Sequence, residues 1–145
     1  MRKLRVSWEE YIKHIKSMVQ VSHRFNADIV VGLTRGGLTP GVSLSHSLQI
    51  PMIPFDPHVL HANGQERDTI SLPISPIISK KLLIVDDVSD TGCTFTKCIK
   101  FFEKRGFKCY TMSIFNNACP TVFIPDYTCA STDHKWVIFP YETTI

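Results

Sequence analysis

A chain of 145 residues with 43% hydrophobic and 20% charged content has an ordinary globular composition and enough length to bury a substantial core. Its formal net charge of +3 is too slight to argue for a nucleic-acid partner and suits a small anionic substrate. No apolar run approaches the ~18 residues of a membrane span, and five cysteines without a Cys-x-x-Cys pair fit small buried or half-buried side chains of a reducing cytoplasm rather than zinc ligands or a disulfide framework.

The basic start, Met1-Arg2-Lys3-Leu4-Arg5, is not followed by the apolar core of a signal peptide. Ser7 and Glu10 have the spacing of a capping box. They open a helix whose apolar positions Trp8, Tyr11, Ile12, Ile15, Met18 and Val19 share one face, and Trp8 is read as core rather than as a binding aromatic. Ile29 to Leu33 is a buried strand that runs into Thr34-Arg35-Gly36-Gly37. Two glycines let that turn fold around an anion, and the guanidinium offers paired donors to phosphate oxygens. Alone, such a turn is also common without a ligand. A helix follows from about Pro40 to Leu48, with proline well placed near its start. Met52 to Phe55 is a short strand. His58 to Leu72 is long, polar and centred on Asn63-Gly64, as expected of a mobile lid. His58 and His61 lack a third ligand and read as solvated loop histidines, and Lys80 and Lys81 as a solvated edge.

Leu82 to Val85 is a short apolar run suited to a strand buried on both faces, with Asp86 and Asp87 at its end. Ser89-Asp90-Thr91-Gly92-Cys93-Thr94 then makes a hydroxyl-rich loop. Helical spacing follows in Phe95, Cys98, Ile99 and Phe102, in a helix ending near Gly106. That order places a ligand at the carboxyl end of a sheet strand. Backbone N–H groups and the helix dipole can hold a phosphate there. The hydroxyls of Ser89, Thr91 and Thr94 add donors, and Gly92 permits close approach. Carboxylates beside a phosphate cradle call for a sugar diol or a metal, so the segment is read as binding a phosphorylated sugar. Further strands are expected at Tyr110 to Phe115, Tyr127 to Ala130 and Trp136 to Phe139. Read alone, Trp136 either plugs the core beside Phe139 or faces a ligand. The alternation predicts one α/β domain over residues 1–145, with a mostly parallel sheet covered on both faces. Neither a Walker-type Gly-Lys-Ser/Thr nor a Gly-x-Gly-x-x-Gly occurs, which argues against nucleotide hydrolysis and dinucleotide binding.

The stretch Leu82 to Thr94 closely resembles the signature of the type I phosphoribosyltransferases, which bind phosphoribosyl pyrophosphate (PRPP). The resemblance implies that family's Rossmann-like fold. It implies that Asp86 and Asp87 hold the ribose diol, with Mg2+ at Asp87 directly or through water. Ser89, Asp90, Thr91, Gly92, Cys93 and Thr94 would cradle the 5-phosphate, with Asp90 the catalytic residue near the reacting base nitrogen. Cys93 is a departure: many members carry Gly or another small residue there, and angles reachable only by Gly would strain it. Thr34, Arg35, Gly36 and Gly37 are similar to the family's pyrophosphate loop, which implies a cis peptide between Thr34 and Arg35.

Asp133 to Glu142 resembles the C-terminal segment of short purine phosphoribosyltransferases of the prokaryotic xanthine-guanine and hypoxanthine type. It implies a small base-binding hood in which Trp136 stacks on a purine and the backbone around Val137 reads its edge. A second departure follows the strand at 110–115. The family's Lys for the purine 6-oxo group is missing, and Asn117 is its nearest counterpart, a neutral amide that donates or accepts.

The reading is a Mg2+-dependent, cytoplasmic purine phosphoribosyltransferase of purine salvage. It would join a 6-oxopurine (guanine, xanthine or hypoxanthine) to PRPP and release pyrophosphate, as a homodimer or homotetramer without nucleic-acid or membrane partners. A PRPP- or nucleotide-sensing regulator with little turnover, and an enzyme for another nucleobase, stay open beside it.

Overall fold

The computed structural model describes residues 1–117 and 122–142. Five parallel strands form the central sheet in the order β3-β2-β4-β5-β6, where β2 is Ile29–Leu33, β3 Met52–Phe55, β4 Lys81–Ser89, β5 Lys108–Asn116 and β6 Tyr127–Ser131. Every residue of β2 is buried, as a strand covered on both faces requires. Side chains alternate across the sheet with period two. Val30, Leu83, Val85, Met112 and Ile114 enter one core with α1 (Trp8–Ser22) and α2 (Leu38–Leu48). Ile29, Val31, Leu33, Leu82 and Ile84 enter the other, with Phe95, Cys98, Phe101 and Phe102 of α3 (Cys93–Lys104). The chain passes from β2 to β3 on one side and to β4 on the other. The gap between the carboxyl ends of β2 and β4 is therefore the switch point of the sheet, where open α/β folds bind ligands.

A separate two-stranded parallel sheet joins β1 (Lys3–Arg5) to β7 (Trp136–Ile138), pairing Lys3 with Trp136, Leu4 with Val137 and Arg5 with Ile138. The N–H of Trp136 donates to Arg2 O, and that of Val6 to Ile138 O, both at 2.9 Å. The C-terminal hood thus hangs on the chain's first residues. β1 was not expected, because Lys-Leu-Arg holds one apolar residue and finds its partner at the far end of the sequence.

The capping box forms: the N–H of Glu10 donates to Ser7 Oγ at 3.1 Å, and that of Ser7 to Glu10 Oε2 at 2.8 Å. Tyr11, Ile15, Met18 and Ser22 make the buried stripe of α1. Trp8 does not join the core. It is 54% exposed and Ile12 49%, since these two flank the stripe and Trp8 lies in the first turn. Its indole packs edge-on to Tyr11 (5.7 Å between ring centroids) and tilted against Tyr141 (6.4 Å). α2 begins at Leu38, two residues before the expected Pro40. Pro40 falls in the first turn, where an N–H has no intrahelical acceptor anyway. β4 continues through Asp86, Asp87 and Val88 to Ser89, with Asp86 paired to Ser113 and Ser89 to Asn116. The carboxylates therefore ride on the strand itself.

The 58–72 stretch is less open than expected of a mobile lid. After a short 3-10 turn at Pro57–Val59, Leu60 bridges antiparallel to Glu66, and the N–H of His61 donates to Gln65 O at 2.8 Å. Leu60 is fully buried in the core under α3, Gly64 (φ 83°) presses on the backbone of that helix, and Glu66 pairs with Arg105. Residues 60–67 are a small hairpin docked on α3. His58 and His61 are exposed, and His58 pairs with Asp56 at 3.0 Å.

Of the cysteines, Cys98 is buried and Cys109 and Cys129 are partly buried, while Cys93 is exposed against expectation and Cys119 lies outside the described residues. Cys93 opens α3 at the surface of the loop after β4, which accounts for its exposure. Burial pushes the Cys98 and Cys109 thiols up to about 12 and that of Cys129 to about 11, so all three stay protonated and unreactive at neutral pH.

Candidate active site

Two motifs far apart in sequence meet at the switch point. After β2 the chain turns through Thr34–Gly37, with the N–H of Thr34 donating to Phe55 O at 2.9 Å and that of Gly37 to Leu33 O at 2.8 Å. The peptide between Thr34 and Arg35 is cis. A β-carbon on Gly36 would run into the Asp87 carboxylate, and one on Gly37 into Val85 O. The turn therefore lies directly against the acidic pair, and only glycine fits between them. The Arg35 side chain is exposed.

Asp86 and Asp87 are both half-buried. The N–H of Asp87 donates to Asp86 Oδ1 at 2.9 Å, and that of Val88 to Asp87 Oδ1 at 2.7 Å. Each carboxylate thus accepts a backbone N–H through its Oδ1, and the two carboxyls also interact with each other. Burial pushes the Asp86 carboxyl well above the usual carboxylate range, and the neighbouring Asp87 charge adds to it. Burial also raises Asp87, with the Glu142 charge contributing. Such a pair favours protonation or a cationic or hydroxyl partner.

Beyond β4 the loop tightens at Gly92, whose φ of 88° suits glycine and which caps the amino end of α3. The left-handed angle falls on Gly92 and not on Cys93, so the thiol sits there without strain. Thr91 braces the loop: Oγ1 accepts from the Cys93 N–H at 3.2 Å, and its carbonyl from the Val122 N–H at 2.7 Å. Ser89, Asp90, Thr91, Gly92 and Thr94 line a recess of about 100 Å³ together with Asp86, Val88 and Phe95. Ser89 Oγ is buried there without a hydrogen-bond partner among the described residues. A buried hydroxyl left unpaired is costly and implies a missing partner.

A larger cavity of about 450 Å³ adjoins it, sharing Val88 and Asp90 with the recess. Trp136, Val137, Asn117, Asp87 and Asp90 line it, as does the buried Phe139. Trp136 is 62% exposed and Phe139 2%, so Trp136 does not plug the core: its ring is part of the cavity wall. Asn117 touches Asp90: its Nδ2 donates to Asp90 Oδ1 at 2.6 Å, and its own N–H to Ser89 O at 2.9 Å. The structure also brings in Thr132, His134, Lys135 and Glu142, which sequence reasoning had not singled out. Glu142 Oε2 accepts from the Phe139 N–H at 2.7 Å. Its signal was the Pro-aromatic-acid pattern at the chain's end; the other three had none, because they lie in an irregular turn. No group of three or more His, Cys, Asp or Glu among the described residues forms a metal cage. The carboxylate oxygens of the acidic pair would suit a hard cation that also takes substrate oxygens.

A phosphate-sized recess and a flat-walled cavity thus meet at Asp90, beside two carboxylates. The model of the phosphoribosyl transferase domain matches residues 7–144. The chain belongs to this family. Among relatives of this phosphoribosyltransferase, the xanthine-guanine phosphoribosyltransferase of Idiomarina loihiensis is 22% identical over 97% of this chain and 88% of its own length. The crystal structure of a purine phosphoribosyltransferase from Pyrococcus horikoshii is 30% identical, covers 100% of this chain and 97% of that one, and superposes with a TM-score of 0.79. The Helicobacter pylori xanthine-guanine-hypoxanthine enzyme, 20% identical over 97% of this chain and 94% of that one, has the same fold with a TM-score of 0.81. The parallel sheet flanked by helices is the type I phosphoribosyltransferase fold.

Proposed function

We propose that this phosphoribosyltransferase joins a 6-oxopurine to the ribosyl group of PRPP, releasing pyrophosphate and a purine mononucleotide. The observation that carries the reading is the junction at Asp90, which lines both the recess and the cavity. A ribose spanning the two would have its phosphate at one end and the incoming base at the other. The unpaired Ser89 Oγ and the N-terminal amides of α3 suit the 5-phosphate, and the Asp86 and Asp87 oxygens suit the ribose diol. The exposed face of Trp136 suits a purine ring, at about 1–3 kcal/mol of stacking. The purine and xanthine-guanine names of the relatives support the same base class.

In the reaction, a base nitrogen attacks the anomeric carbon as pyrophosphate departs. Asp90 accepts or steers the proton of that nitrogen, and the Asn117 amide fixes the Asp90 carboxylate through its 2.6 Å bond. Arg35 and the glycine turn flank the leaving pyrophosphate. Asp86 and Asp87 would hold Mg2+, Asp87 directly or through water, and the ion would supply positive charge beside the departing phosphates. Among the described residues no helix is long and apolar enough to cross a membrane, and the cysteines described are free. We place the enzyme in the cytoplasm, as a homodimer or homotetramer.

Purified protein with PRPP, Mg2+ and, separately, hypoxanthine, guanine, xanthine, adenine or uracil tests this by chromatography of the products. Nucleotide from one or more of the three oxopurines is expected. Nucleotide from uracil or adenine alone overturns the base class. No nucleotide at all, with PRPP still bound, turns the protein into a sensor.

A further inference from the structure

The wall of the base cavity carries a charge that the reaction outlined above does not use. Three carboxylates line this cavity, from Asp87, Asp90 and Glu142, and one lysine or arginine among the described residues, Lys135. Carboxylates suit the N–H and amino edges of a purine, but they repel its carbonyl oxygens. Two of them already hold internal donors, Asp90 the Asn117 amide and Glu142 the Phe139 N–H. Among the described residues the Lys135 ammonium has no such commitment, and its ion-pair contact there is with Asp133 at 3.9 Å, at the outer limit of contact. The Lys135 side chain is half-buried on the cavity wall, 31% exposed, and that of Asp133 is 74% exposed, so Asp133 is a solvated counter-ion that holds the ammonium only weakly.

The backbone that puts it there is unusual. Asp133 and His134 both have left-handed angles, φ 51° and 60°, in a turn closed by the Lys135 N–H donating to Thr132 O at 3.0 Å. Two successive non-glycine residues in that region are uncommon and cost free energy. Such turns gather at ligand sites, and this one delivers Thr132, His134, Lys135 and Trp136 to a single cavity wall. A flat ring held against Trp136 presents its edge to the same wall.

We propose that Lys135 is the residue that reads a carbonyl oxygen of the base, and so fixes the preference for oxopurines. This rests on the purine-transfer reading and deepens it. The ammonium donates to the oxo group in the ground state and the transition state alike, so its loss falls on base affinity rather than on turnover.

The test compares wild type, Lys135→Met and Lys135→Arg in initial-rate assays with xanthine, guanine and hypoxanthine. Lys100→Met, an exposed change on α3 away from both cavities, is the control. In Lys135→Met the KM for oxopurines should rise by about ten- to hundredfold, as for a lost charge-assisted hydrogen bond. The KM for PRPP and kcat should stay within about threefold of wild type. Lys135→Arg, which keeps a cationic donor, should recover most of the base affinity. A base KM within about twofold of wild type in Lys135→Met overturns the proposal. So does a parallel loss of PRPP affinity, which marks a role in folding the turn. Absence of wild-type product with any of the three bases removes the purine reading, and this inference with it. Active wild type with an indifferent Lys135→Met removes this inference alone.

Discussion

Asp86 and Asp87 set the electrostatic cost of the site. Both carboxyls are pushed up by burial, Asp86 further by its neighbour's charge. The folded state therefore binds a proton more tightly than the unfolded chain, and stability declines as pH climbs from the ordinary carboxylate range through the raised values. Asp86→Asn removes that penalty while its amide oxygen still accepts from the Asp87 N–H. Its melting temperature at neutral pH should exceed wild type, by about 3–5 °C for each kcal/mol recovered in a chain of this size, and PRPP turnover should fall by at least about a hundredfold. A melting temperature at or below wild type would contradict the electrostatic account. Gly36→Ala tests the contact between the two motifs. Its β-carbon meets the Asp87 carboxylate, so PRPP should bind about tenfold or more weaker by calorimetry; unchanged binding would mean the turn and the acidic pair act separately.

Strand β7 of the hood pairs with β1 and not with the central sheet. β7 carries Trp136 and Val137 and pairs with Lys3–Arg5, so Leu4→Pro, which removes a ladder donor, should loosen the base site. The base KM should rise several-fold while PRPP affinity holds, because the recess is built from β4 and α3; equal loss of both would place β1 in the general scaffold. This dependence was not legible from the sequence, since nothing in Lys-Leu-Arg points to a partner more than a hundred residues away. β2, β4 and α3 were legible because their apolar runs and spacing are dictated locally by burial on both faces. The acidic signature was legible for the same reason: a buried strand, a glycine turn and a helix start fix its geometry within a dozen residues. The Asn117–Asp90 bond and the Lys135 turn were not, since each depends on loops meeting in space. The docking of the polar run after β3 on α3 through Leu60 and Gly64 was not legible either, because composition does not announce that contact.

Two apolar cores flank the five-stranded sheet, and the recess and cavity lie between the carboxyl ends of its strands and the hood. Binding there stabilises the entire molecule by mass action. PRPP with Mg2+ at about a hundred times its dissociation constant should add roughly 2.7 kcal/mol, seen as a raised melting temperature that the Ser89→Ala variant reduces. No shift with wild type would mean that the recess does not take PRPP. The central claim is that the recess and the cavity serve one transfer reaction, and the stoichiometry of that reaction tests it most directly. Wild-type protein, PRPP, Mg2+ and an oxopurine should yield purine mononucleotide and pyrophosphate in equal amounts. Pyrophosphate without nucleotide, or bound PRPP with neither product, would contradict the account.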